Sequence, residues 1–112
     1  MLVPVPHHWR RRLSRGYNQA ELLAEGMKSV WDVEVNTSLL SRSLHKKSLT
    51  SSSRVNSSEK IKDVFKATDY QCEKQIVLVD DVLTTGSTLR ALRCILEEKG
   101  STVLGAAVLA LA

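Results

Sequence analysis

The stretch Ile76–Leu89, IVLVDDVLTTGSTL, leaves a chain of this size few ways to fold. It opens on four apolar residues in a row, Ile76 to Val79. A short apolar run without alternation suits a strand buried on both faces, as in a parallel sheet covered by helices. Two carboxylates follow, Asp80 and Asp81, and then the small-residue loop Thr84-Thr85-Gly86-Ser87-Thr88. A helical pattern continues to Lys99, with Leu89, Leu92, Ile95 and Leu96 on one side and Gly100 placed as its C′ residue. Open α/β sheets bind ligands at the carboxyl ends of their strands. A helix that begins there offers unpaired N–H groups and the positive end of its dipole to an anion. Strand, acid pair, hydroxyl-rich loop and helix therefore form a phosphate cradle with carboxylates beside it. The acids are suited to sugar hydroxyls or to a metal ion. A Walker A loop requires a lysine that is absent after Gly86, and the dinucleotide fingerprint GxGxxG is also absent.

The 112 residues suit one small domain, and with aromatics at 4% its core must be aliphatic. No apolar run reaches the roughly 20 residues that span a bilayer. Met1-Leu-Val-Pro lacks the basic and apolar regions of a signal peptide. Cys72 and Cys94 are far apart and form neither a CxxC nor a zinc pattern, so the expectation is reduced thiols in a cytoplasmic protein. A net charge of +4 favours an anionic partner, either a phosphorylated small molecule or nucleic acid.

From the start, Leu2–Pro6 reads as a first strand, its prolines tolerable at the beginning and exit. The basic segment His7 to Asn18 follows, HHWRRRLSRGYN, with Arg10, Arg11, Arg12 and Arg15 crowded into it. Leaving the carboxyl end of a strand, it should open on the same sheet edge as the acid pair, with guanidinium groups ready for phosphate. His7 and His8 are weak metal candidates, because no third ligand lies near them in sequence. Asn18 is an N-cap with Glu21 as capping-box partner, and the predicted helix ends near Lys28 or Ser29. Its core stripe is Ala20, Leu23, Met27 and Val30, widened by Leu22 and Ala24. Asp32 to Val35 is a candidate short strand. From Asn36 to about Ser58 serine abounds and Arg42, His45, Lys46, Lys47 and Arg54 are scattered, which reads as a surface excursion or a basic lid. A short helical stretch over Glu59 to Lys66 should carry Ile61, Val64 and Phe65 on its apolar face, Phe65 anchoring it to the core. Thr102 to Leu111 is a last apolar strand. The predicted order is β-α-β, lid, β-α-β, which gives a parallel α/β sheet.

VLVDDVLTTGSTL resembles the phosphoribosyl-diphosphate (PRPP) signature of type I phosphoribosyltransferases: four apolar residues, two acids, two apolar residues, then T-x-G-x-[ST]. VPVPHHWRRRLSRGYNQAELLA is similar to the ComF/GntX branch, in which a V-P-V-P strand leads to a basic R-x-R-G-[FY]-N-Q segment and a helix. Together they cover nearly the whole chain, the middle matching least. The resemblance implies a Rossmann-like phosphoribosyltransferase core over residues 1–112, with a flexible lid at about 37–68 and no complete hood. It implies that Asp80 and Asp81 are the catalytic acids and bind the ribose 2′ and 3′ hydroxyls, touching the metal only through those hydroxyls or water. Val82, Leu83, Thr84, Thr85, Gly86, Ser87 and Thr88 would complete the PRPP site, the Thr84–Thr88 loop wrapping the 5-phosphate. The His7–Arg15 loop, with Arg10, Arg11, Arg12 and Arg15, would face the diphosphate with Mg²⁺ as cofactor. The implied reaction is displacement of diphosphate at ribose C1 by a nitrogen nucleophile.

Three features depart from the family pattern. Thr84 stands where purine-salvage members carry an acid, which disfavours purine salvage. Leu49, Glu59 and Lys60 occupy a middle region where the branch often has a glutamine and an arginine–asparagine pair. The cysteine-rich zinc module expected before the first core strand is absent, which reads as a truncated form of the family's longer chain. An enzyme is therefore weighed against a non-catalytic PRPP-sensing or DNA-handling module in competence, and against an inactive remnant. Single-stranded DNA is a second partner class, and a homodimer is the expected assembly.

Overall fold

A computed structural model describes residues 1–7, 17–42, 64–68 and 74–112. Its elements, in chain order, are β1 (Leu2–Pro4), α1 (Gln19–Val30), β2 (Leu40–Arg42), β3 (Phe65–Ala67), β4 (Gln75–Leu83), α2 (Ser87–Glu98) and β5 (Thr102–Leu111). A three-stranded parallel sheet has the order β1-β4-β5, and β2 and β3 form a separate antiparallel pair. This is the parallel α/β core expected from the sequence.

β4 is central because its apolar run can be buried twice. On one face Ile76 and Leu78 pack with Val3, Val5, Leu92 and Leu96, and with Leu39, Leu40 and Phe65 from the two-stranded ribbon. On the other, Val79 packs with Leu2 and Ala24, with Leu23, Met27, Val33, Val35 and Val77 around them. The two helices therefore cover opposite faces. Phe65, the only phenylalanine, is buried and ties the ribbon to the core, the anchoring role expected of it.

Polar groups set the ends of these elements. Asn18 caps α1 through Oδ1, which accepts from the Ala20 N–H at 2.9 Å. α2 ends in a Schellman motif: Ser101 N–H donates to Leu96 O and Gly100 N–H to Glu97 O, with Gly100 at φ 92°. Pro4 closes β1 without a lost bond. Leu2 bonds the outer segment through Glu34 O and the Asn36 N–H, while Val5 N–H reaches inward to Val79 O. Alternation thus aims position 4 outward, past the end of that pairing, where a missing N–H does no harm.

The structure corrects several local expectations. β4 continues to Leu83, so the acids lie within the strand rather than after it, with Asp80 opposite Val108 of β5. The strand expected over Asp32 to Val35 is reduced to a single bridge between Leu2 and Val35, because β1 has only three residues to pair with. Val30 and Leu22 are exposed, not part of the core stripe. With Ala20 and Ala24 buried, α1 lies close to the sheet on a narrow strip that reaches neither flank. The flanks of the serine-rich segment are strands, and Phe65 and Lys66 belong to β3 rather than to a helix. Of the lid expected at about 37–68, residues 43–63 lie outside the described residues. Among the described residues, no helix is long and apolar enough to cross a membrane.

Candidate functional site

β1 leads on to α1 on one face, and β4 leads to α2 on the other. Where neighbouring strands send their connections to opposite faces, a crevice opens at their carboxyl ends. Here it is a cleft of about 620 Å³. β1's exit contributes Val5, Pro6 and His7, and α1 contributes Gln19. Asp80, Asp81 and Val82 come from β4, Thr84 and Thr88 from the following loop and helix, and Arg42, Val64 and Phe65 from the ribbon.

The acid pair is shaped by its place in the strand. β1 has left the ladder after Val5, so the Asp81 N–H, which faces that side, turns instead to Asp80 Oδ1 at 2.8 Å. The Val82 N–H donates to Asp81 Oδ1 at 2.9 Å. Asp80 is buried and Asp81 half-buried. His7 Nε2, closed off from solvent, lies 3.6 Å from Asp80 Oδ1 and 3.9 Å from Asp81 Oδ1. Burial works to raise the Asp81 carboxyl. The hydrogen bond with Asp80, the Val82 N–H and the His7 charge outweigh it and hold Asp81 below the usual carboxylate range.

The loop after β4 turns on Gly86, the residue before α2, at φ 79° and ψ 4°. A Cβ there would meet nothing closer than Leu83 Cδ1 at 3.7 Å, so glycine is required by backbone conformation rather than by space. Ser87 N–H donates to Thr85 Oγ1 at 3.3 Å, and the two hydroxyls lie 2.8 Å apart. The Gly86 carbonyl accepts the Arg90 N–H at 3.0 Å and starts the helix.

Of the residues singled out in sequence, Asp80, Asp81, Val82, Thr84 and Thr88 line the cleft, while Leu83 ends β4, Thr85 and Gly86 lie in the turn and Ser87 opens α2. Arg10, Arg11, Arg12 and Arg15 lie outside the described residues. Two corrections follow. His7 does gain further candidate ligands: Nε2 and one oxygen each of Asp80 and Asp81 lie within 4.8 Å of one another, a donor set that fits a divalent ion. Arg42, which had no individual role in the sequence reading, borders the cleft with its guanidinium 5.5 Å from the Phe65 ring centre. Nothing local in sequence marks Arg42; the cue was Phe65, whose anchoring brings the ribbon to the cleft.

A parallel α/β core with a carboxylate pair and a threonine–glycine loop at the strand ends defines a class, and the chain's similarities agree with it. Residues 13–112 match the phosphoribosyl transferase domain, and the chain belongs to that family. Its ComF-like character shows in two relatives. It is 31% identical to competence protein F of Haemophilus influenzae over 102 residues, 88% of this chain and 44% of that protein. It is 37% identical to competence protein ComFC of Bacillus subtilis over 100 residues, 88% of this chain and 39% of that protein. The chain thus spans less than half the length of these curated relatives. A stretch of 36 residues, 32% of this chain and 20% of the other protein, is 61% identical to adenine phosphoribosyltransferase of Corynebacterium kroppenstedtii. No solved structure matches the chain.

Proposed function

We propose that the cleft binds PRPP and that the chain transfers the phosphoribosyl group to a nitrogen acceptor with Mg²⁺. The observation that carries this reading is the meeting, in one cleft, of the Asp80–Asp81 pair with the loop that opens α2. Asp80 and Asp81 accept hydrogen bonds from the ribose 2′ and 3′ hydroxyls. The Thr84–Thr88 loop offers hydroxyls and the first N–H groups of α2 to the 5-phosphate. Arg10, Arg11, Arg12 and Arg15 face the diphosphate, and the lid closes over it to exclude water. In the reaction the C1–N bond forms as the C1–O bond to diphosphate breaks, and diphosphate leaves with both bonding electrons. Mg²⁺ would supply charge neutralisation on that leaving group. The protein contributes position and preorganised charge.

Calorimetric titration of PRPP into the chain, with and without Mg²⁺, tests the reading. Micromolar, Mg²⁺-dependent binding is expected, and the double variant Asp80→Asn with Asp81→Asn should abolish it while the circular dichroism spectrum is unchanged. Unchanged affinity in that variant removes the ribose-diol assignment.

The names of the two competence proteins favour a second reading, a non-catalytic module that handles single-stranded DNA. Phosphate-driven binding of that kind falls steeply with salt and ignores sequence. Binding that needs both aspartates and Mg²⁺ argues for PRPP instead. A homodimer is supported by the exposed Leu104, Leu109 and Leu111 along β5 and is checked by sedimentation equilibrium.

A further inference from the structure

We propose that the apolar trough between α1 and β5 seats a second copy of this chain, each copy's α1 lying over the other's β5 about a two-fold axis parallel to the strands. The proposal rests on the homodimer reading and assigns it a surface.

The two faces of the sheet are covered unevenly. α1 packs on β1 and β4, with Ala24 against Leu2 and Val79, and no β5 residue joins that cluster. Partners in a parallel ladder share a face. Gly105 beside Val77, Ala107 beside Val79 and Leu111 beside Leu83 therefore lie on the α1 side, with Leu109 by alternation. Leu109 and Leu111 are exposed there. Among the described residues, no helix covers this side of β5. α1 turns an apolar stripe toward the gap. At about 100° per residue from the buried Ala20 and Ala24, the residues Leu22, Gly26 and Val30 run across the outer surface of the helix to one flank. Glu21, Glu25 and Lys28 take the other flank. A right-handed crossover places the apolar flank next to β5.

Two glycines border the trough, and nothing among the described residues calls for them. Gly26 lies within α1 and Gly105 within β5. Neither has a positive φ, and a Cβ at either would meet nothing within 4 Å. Glycine weakens the interior of a helix or a strand, so its place in both is explained by a backbone that approaches from outside. Ser29 Oγ donates back to Gly26 O at 2.6 Å, which satisfies the hydroxyl beside the stripe and lets it be covered.

Charge and size indicate the occupant. From Thr102 to Ala112 there is no charged side chain, so this face does not suit nucleic acid although the net charge is +4. The vacant seat fits a helix with a neutral outer stripe, and the chain itself presents one. A two-fold axis along the strands fills both seats at once, sets the two Gly26 stripes side by side in one layer and leaves Glu25 at the rim. β5 is about 33 Å long, and the trough is about 18 Å wide, one helix plus the neighbouring strand spacings. Each copy then covers roughly 600 Å², or about 1,200 Å² for the pair, the lower end of the range for a specific interface. A reversible dimer follows from that size.

The experiment is sedimentation equilibrium of the 112-residue chain over a range of concentrations, without PRPP. Expected are a reversible dimer, at least tenfold weaker association in Gly26→Gln and in Leu109→Gln, and unchanged association in Lys28→Gln, on the far flank of α1. Gly26→Gln sets a better helix former at an exposed position, so its urea midpoint should not fall, and weaker association there reports a lost contact rather than a lost fold. A dimer of unchanged affinity in Gly26→Gln overturns this inference alone, the result that edge-to-edge pairing of β5 would give. Equal weakening by Lys28→Gln overturns it as well. An unaltered chain that stays monomeric at every concentration overturns the homodimer reading together with this surface.

Discussion

Asn18 joins two parts of the molecule with one side chain, so its replacement is the most informative single change. It is buried at 5% exposure, its Oδ1 caps α1 at Ala20 N–H, and its Nδ2 donates to Val5 O at the exit of β1. Asn18→Ala removes the cap, about 1 kcal/mol, and leaves a shielded carbonyl at Val5 unsatisfied, about 1 to 3 kcal/mol. Because the two losses share one site they do not add fully, and a total of about 2 to 3 kcal/mol is expected. Against a domain stability of roughly 5 to 15 kcal/mol this is a large fraction. With a urea dependence of about 1 to 2 kcal/mol per molar, the midpoint should fall by roughly 1 to 2 M in equilibrium unfolding. Asn18→Ser retains a capping oxygen but shortens the reach to Val5, so about half of the loss should return. Asn18→Asp keeps the cap and sets a carboxylate against the Val5 carbonyl, and should remain destabilised. A loss under about 0.5 kcal/mol in Asn18→Ala, or equal losses in the Ser and Ala variants, would refute this two-bond account.

Three further outcomes are expected. Gly86→Ala forces a side chain into the left-handed region and should cost about 1 to 2 kcal/mol in urea unfolding, with weaker PRPP binding by calorimetry, since the turn it sets opens the anion cradle. Leu92→Ala should destabilise by about 2 to 5 kcal/mol and Leu22→Ala by less than about 0.5, because the first is fully buried and the second lies 56% exposed; comparable losses would show that the burial pattern of the helices is wrong. The Glu34 carboxylate is held below its ordinary value by its hydrogen bond and charge pairing with Lys74 at 2.9 Å, so its contribution is present above the unfolded glutamate range and is lost as pH falls through the lowered folded value. Glu34→Gln should therefore lower the urea midpoint at pH 7 and not at pH 3, and an equal effect at both would rule out the ion pair as the cause.

The aspartate pair and the loop that follows it are legible in sequence because their signals are local. An unbroken apolar run, two acids, a glycine at the turn and a glycine after the helix each have one inexpensive conformation, and the chain adopts them from Gln75 to Leu111. The parallel core and the family both follow from that stretch and from the segment before α1. Asn18 is equally legible as a cap, but its bond to Val5 is not, since nothing in the local pattern tells a side chain which distant carbonyl it will meet.

Tertiary structure decided what depends on partners far apart in the chain. The Asp32–Val35 segment has strand character, yet its extent was set by the length of β1 beside it. Val30 and Leu22 continue a helical stripe on paper, but the close approach permitted by Ala20 and Ala24 leaves them in water. The β2–β3 ribbon formed from short, polar segments because Leu39, Leu40 and Phe65 could share the core with α2. His7 gained meaning in the same way: in sequence it lacks a third ligand, and only the pairing of β1 beside β4 brings Asp80 and Asp81 to it. Local chemistry specifies an element when neighbouring residues supply the decisive free energy; a site assembled across a parallel sheet draws its geometry from strand register, which no single segment contains.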